Sequence, residues 1–179
     1  MAFPASWGFD KPEEMKRFFL RLCQDFPFTS AQAGFQFEYS PYWQVASETH
    51  AWKTSMRYRG VDISYPVNDK IVVGFDGIKG VNWLTAVSDK LLKEVGGRQV
   101  KVPAGVTMIP VKRGVVFQAG DIPRLGDYDK RDFLPEYTAV YELLKPLIER
   151  AFGRSKAFEL EDDDHFEEMS KTWMRRLAK

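Results

Sequence analysis

The 179-residue sequence predicts an α+β domain, a largely antiparallel sheet of about four to five strands packed with four to five helices. Three observations lead there. Helical spacing and strand alternation both occur along the chain, so neither an all-α nor an all-β fold fits. Strand patterns cluster between residues 99 and 119 instead of alternating regularly with helices, which argues against a doubly wound parallel sheet. Lys112-Arg113-Gly114 joins two of those strands tightly, as in an antiparallel hairpin.

The elements follow in order. A helix is expected from about Lys11 to Asp25, with Asp10 as its cap and Glu13 completing a capping box. Met15, Phe18, Phe19, Leu22, Cys23 and Phe26 give it one apolar face, which makes Cys23 a small core residue and not a nucleophile. Ala33, Phe35, Phe37 and Tyr39 alternate with polar or small residues, as in a strand with one buried face. Ser40-Pro41 starts a second helix, ending between Arg57 and Gly60, with Trp52 and Met56 inward and His50 on the surface. Ile71 to Phe75 reads as a short strand. A third helix is expected from about Asn82, its cap, to Val95, closed by Gly96-Gly97.

Strands are expected near Gln99 to Val102, Val106 to Val111 and Val115 to Ala119. A Pro-, Gly- and Asp-rich loop covers Ile122 to Lys130. A fourth helix begins near Pro135 and should bend at Pro146. The last helix spans about Asp162 to Ala178, with acids at its start and bases at its end, as the helix dipole favours. Residues 1–179 are read as one domain, of which 158–179 form this acidic-start C-terminal helix.

Composition excludes several function classes. Apolar residues at 44% and charged residues at 28% fit a folded globular chain. The 26 basic and 25 acidic residues nearly cancel, against a nucleic-acid coat or a membrane-surface protein. One cysteine allows no internal disulfide. Met1 to Asp10 lacks a signal-type apolar core, and no 18-residue apolar run occurs, so a cytoplasmic chain without a membrane span is expected.

Catalytic signals are sparse. Two histidines give little material for a triad or a multi-histidine metal site. Gly74, Gly77 and Gly80 match neither the phosphate loop nor the dinucleotide fingerprint. Asp121, Asp127, Asp129 and Asp132 lack calcium-loop spacing, and turns or caps explain them. Charge distribution says more. Ala157 to Met169 holds seven acids and no Lys or Arg, whereas Lys79 to Arg113 holds seven bases against two acids. Trp7, Phe9, Trp43, Tyr58, Tyr65 and Tyr128 fit no inward stripe, and exposed aromatics anchor interfaces.

Ile78-Lys79-Gly80-Val81-Asn82-Trp83-Leu84-Thr85 is followed by Gly96-Gly97, Gln118-Ala119-Gly120, Pro123 and Leu125-Gly126-Asp127. Together with Ala33-Gly34-Phe35 and Arg57-Tyr58-Arg59-Gly60-Val61-Asp62, this ordered set resembles the bacterial type VI secretion immunity family over roughly residues 10 to 150. The resemblance implies an antitoxin that binds a co-inherited secreted effector, often a nuclease, with no catalytic residue and no cofactor of its own. It implies fold-defining roles for Gly80, Asn82, Trp83, Gly120, Gly126 and Asp127.

An inhibitor needs a scaffold and a complementary surface. A nuclease cleft is basic or metal-loaded, and acids suit it. Glu159, Glu161, Asp162, Asp163 and Asp164, with Trp43 and Tyr128, are therefore the candidate partner-binding residues. Two rivals stand beside this expectation. One is a small metal-dependent enzyme built on the Asp121–Asp132 loop. The other is a nucleic-acid module using the basic central stretch with Tyr58, Tyr65 and Trp83.

Overall fold

The structure, a computed structural model, describes residues 4–37, 44–63, 77–150 and 163–178, with the backbone alone at 44–49, 163–167 and 170. In chain order its elements are helices α1 (Ala5–Asp10) and α2 (Pro12–Asp25), strand β1 (Ser30–Ala33), helix α3 (Gln44–Arg57), strand β2 (Leu84–Ser88) and helix α4 (Asp89–Leu92). Strands β3 (Val106–Val111) and β4 (Gly114–Ala119) follow, then helices α5 (Pro135–Glu149) and α6 (Asp163–Met174). The sheet order is β1-β2-β4-β3, antiparallel at every pairing. The expected α+β class and antiparallel sheet are therefore found.

The hairpin matches its expected span, with Val111 opposite Gly114 across the two-residue turn. Helix α2 also forms, but its start differs. Asp10 closes α1, and Lys11 is the cap position with no side-chain capping bond. Pro12 at the first helical position causes this, since the residue before a proline is pushed out of the helical region. Glu13 instead pairs with Lys16, Nζ to Oε2 3.0 Å. Phe19 and Cys23 are buried on the inner face of α2, as expected.

The expected Asn82–Val95 helix is a correction. Residues 84–88 are a strand, and only Asp89–Leu92 is α-helical, followed by a 3₁₀ turn at Lys93–Val95. Strand β2 lies between β1 and β4 and all five of its residues are buried. A strand buried on both faces has no alternation, so its apolar run mimics a helical stripe. The expected strand at Gln99–Val102 is likewise absent. Gly97–Gln99 forms a 3₁₀ turn, with Gly96 and Gly97 both at positive φ.

The first expected strand is shorter and earlier, at Ser30–Ala33, with Gln36 adding one isolated parallel bridge to Asp62. The expected strand at 71–75 lies outside the described residues. Helix α5 runs through Pro146 and buries Tyr137, Val140, Tyr141, Leu144, Leu147 and Ile148, packing across β3 and β4. Helix α6 ends at Met174, short of Ala178, with Trp173, Met174 and Leu177 buried. It lies beside α3, where Trp52 Nε1 donates to the Met169 carbonyl at 3.3 Å.

The resemblance motif sits at the centre of this framework. Asn82 Oδ1 accepts from Trp83 N at 2.8 Å, and Asn82 Nδ2 donates to the Phe35 carbonyl at 3.2 Å. Asn82 therefore ties the β1 side to the start of β2 and caps no helix. Gly34 makes room for it, since a Cβ there would lie 1.9 Å from Asn82 Oδ1. Trp83 is fully buried, and its Nε1 donates to the Gly120 carbonyl at 3.1 Å. The Gly80 carbonyl accepts from the Gln32 side chain.

A candidate partner-binding face

The loop from Gly120 to Leu134 connects β4 to α5. Large exposed apolar side chains among the described residues are Phe9, Phe26, Ile122, Leu125, Tyr128 and Phe133. Four of these six lie within residues 122–133. Scattered exposed apolar residues are ordinary on a protein surface, whereas contiguous ones mark interaction surfaces, and two of these four are in contact. Tyr128 is 44% exposed and Phe133 57% exposed, and the rings meet edge to face with centroids 5.6 Å apart.

This loop is braced from below. Arg57, at the end of α3, reaches Asp127 with two parallel hydrogen bonds, Nε to Oδ1 and Nη2 to Oδ2, each 3.0 Å. Fork-shaped pairing of this kind fixes orientation as well as charge. The Arg57 hydrogen bond, more than its charge alone, holds the Asp127 carboxyl below its ordinary range. Asp129 adds a second carboxylate, 3.3 Å from Arg57 Nε. The neighbouring backbone also pairs across this joint. Arg59 N donates to the Gly126 carbonyl at 3.2 Å, and Gly60 N to the Leu125 carbonyl at 2.8 Å.

Gly126 has φ +68°, and a Cβ there would come within 2.5 Å of Leu134 Cδ1. Only glycine suits that backbone and that spacing. Tyr128 to Lys130 then winds into a 3₁₀ turn closed by Arg131 at φ 58°. A non-glycine residue there costs energy, and a firmly held loop must sustain it. On the far side, Arg124 pairs with Asp132 and lies 3.7 Å from Glu136. Arg124 N also donates to the buried Tyr137 hydroxyl at 3.1 Å. The loop that carries Tyr128 is thus tied to the end of α3 on one side and to the start of α5 on the other.

The other residues singled out by their sequence pattern fall differently. Trp43, Glu159, Glu161 and Asp162 lie outside the described residues, and of Asp163 and Asp164 only the helical backbone is described. Asp163 and Asp164 open α6. Asp127 is a brace, Asp132 is committed to Arg124, and no group of three potential metal ligands occurs among the described residues. Trp83, assigned to base stacking by the nucleic-acid rival, is fully buried and cannot stack a base. Phe9 is exposed, but it lies against Phe35 with centroids 4.3 Å apart. Cys23 is buried, and burial pushes its thiol up to about 11.

Sequence reasoning named Tyr128 but missed Phe133, whose ring it meets, and Ile122 and Leu125, exposed on the same loop. Their signal was present. Large apolar residues recur without helical or strand period inside a Pro- and Gly-rich loop, where core packing does not require them.

No helix among the described residues is long and apolar enough to cross a membrane. No curated protein matches the chain. One solved structure that matches is the T6SS protein PA0821 of Pseudomonas aeruginosa, with a TM-score of 0.77 and 22% identity. The alignment covers 97% of this chain and 50% of that one, so the chain spans half the length of the protein whose fold it shares. A family model described as "Type VI immunity for VRR-NUC" matches residues 1–177, beyond the 10–150 span of the sequence resemblance and including the C-terminal helix. The chain belongs to this type VI immunity family, TsiV.

Proposed function

We propose that the chain is a non-catalytic antitoxin that binds a cognate type VI effector carrying a VRR-NUC nuclease domain and blocks it by covering its active site. The observation that carries this is the clustering of Ile122, Leu125, Tyr128 and Phe133 on one braced loop, in a chain whose family is named for immunity to VRR-NUC. Rigid aromatic anchors surrounded by polar rim residues are what a tight inhibitor requires. The acids Glu159, Glu161, Asp162, Asp163 and Asp164, with Trp43, are assigned to a second contact against the basic or metal-loaded cleft. The complex forms in the cytoplasm of the cell that carries both genes, with no nucleic acid, membrane or cofactor taking part.

The experiment is a nuclease assay with a purified type VI effector that carries a VRR-NUC domain and is co-inherited with this chain. The wild-type chain is expected to abolish DNA cleavage at equimolar ratio, and the variant charge-reversed at the five acids to lose affinity and protection. Unchanged protection by that variant removes the acids from the interface, and unchanged cleavage with the wild-type chain removes the function itself.

A further inference from the structure

Behind the exposed loop lies a pocket of about 270 Å³ whose walls include Arg59, Tyr128, Asp132, Phe133, Thr138 and Arg176. Two of these six are arginines, and no carboxylate among the described residues lies within ion-pair distance of either. Asp132, the acid of the pocket, is taken by Arg124. Asp62, the acid whose charge acts on Arg176, is held by Lys79 at 3.3 Å.

Arg176 is only 3% exposed. Its guanidinium stacks on Trp173, 3.9 Å from the ring centre, and donates to the carbonyls of Arg59 and Trp173 at 3.0 and 3.2 Å. Two neutral acceptors do not balance a buried cation, and burial pushes this guanidinium down to about 10. Arg59 lies over the Tyr128 ring at 3.6 Å. Its Nε is buried and has no hydrogen-bond partner among the described residues. A buried donor left unpaired is costly and uncommon, and the residue that carries it lines the pocket beside Tyr128 and Phe133.

The chemical partner of two such guanidinium groups is an anion. Guanidinium groups bind carboxylates through paired N–H donors, and the gain is largest where water is excluded. Tyr128, Phe133 and Leu134 line the same pocket and set apolar surface beside the two guanidinium groups. We infer that this pocket is the seat of one Asp or Glu side chain of the effector, whose carboxylate bridges Arg59 and Arg176 while Tyr128 and Phe133 close around its stem. The inference rests on the binding function proposed above and adds to it a buried, charged anchor point of the opposite sign to the acid run.

The test is a double-mutant cycle by calorimetry. Each surface Asp and Glu of the effector's VRR-NUC domain is changed to its amide, and each variant is titrated with the wild-type chain and with Arg59→Gln. One amide variant is expected to lose at least tenfold in affinity for the wild-type chain and under twofold for Arg59→Gln. A structural role of Arg59 alone lowers affinity for every effector variant alike and produces no such coupling. Equal losses against both chains, for every acid, overturn the inference while leaving the binding function intact. Absence of wild-type binding overturns both.

Discussion

Arg57 and Asp127 stand 70 positions apart in the chain and meet in a two-pronged ion pair, with both N–H···O distances at 3.0 Å. The pair pins the loop bearing Tyr128 to the end of α3, and an isolated antiparallel bridge between Tyr58 and Asp127 seals the same joint. The position of the exposed aromatic face therefore depends on a contact between helix and loop.

That pair gives stability a defined pH dependence. Asp127 has its carboxyl lowered by Arg57, so its contribution is fully present above the unfolded value of about 4 and fades as pH falls through the lower folded value. Asp127→Asn is expected to be less stable than wild type, with a constant gap from about pH 7 to 5. The gap narrows below about pH 4. Urea denaturation of both proteins across this range checks it, and a gap that widens on acidification contradicts the assignment.

Trp83 sits at the centre of the core. Trp83→Ala is expected to destabilise by about 3–5 kcal/mol, the usual range for emptying a buried aromatic site. Trp83→Phe keeps most of the volume and loses the 3.1 Å bond to the Gly120 carbonyl, which still accepts from Gln118 Nε2 at 3.0 Å. That variant should lose less, about 1–2 kcal/mol. Chemical denaturation with an unchanged m-value separates the two.

Cys23 should be silent to thiol reagents in the native state. Burial pushes its thiol up to about 11, which leaves little thiolate at about pH 8. Labelling with an aromatic disulfide reagent is expected to stay negligible for the folded chain and to reach one thiol per chain in urea. Rapid native labelling would show that α2 opens from the sheet.

Tyr128→Ala and Phe133→Ala remove exposed rings, so their unfolding midpoints should stay within a few degrees of wild type. Their affinity for the VRR-NUC effector should fall about 10- to 100-fold each, as for aromatic hot spots. Phe26→Ala, a still more exposed ring at the end of α2, serves as control and should bind normally.

Much of the fold was legible because its pattern is local. The β3–β4 hairpin was marked by two β-rich runs around Lys112-Arg113, α2 by its apolar stripe, and α5 by an apolar stripe behind Pro135. Strand β2 was misread because a central strand loses the alternation that separates strand from helix. The site was half legible. Tyr128 was visible as an aromatic with no stripe to join, but Asp127 read as a turn residue, since nothing local to it announces Arg57. The arginine pocket was invisible for the same reason. Arg59 and Arg176 lie 117 positions apart and meet only when α6 docks beside α3.

The most direct test is hydrogen exchange on the free chain and on its complex with the VRR-NUC effector. Slowed exchange concentrated at residues 121–133, around Tyr128, is the expected result. A complex that forms and protects other segments while leaving that loop unchanged would contradict the braced aromatic loop as the binding face.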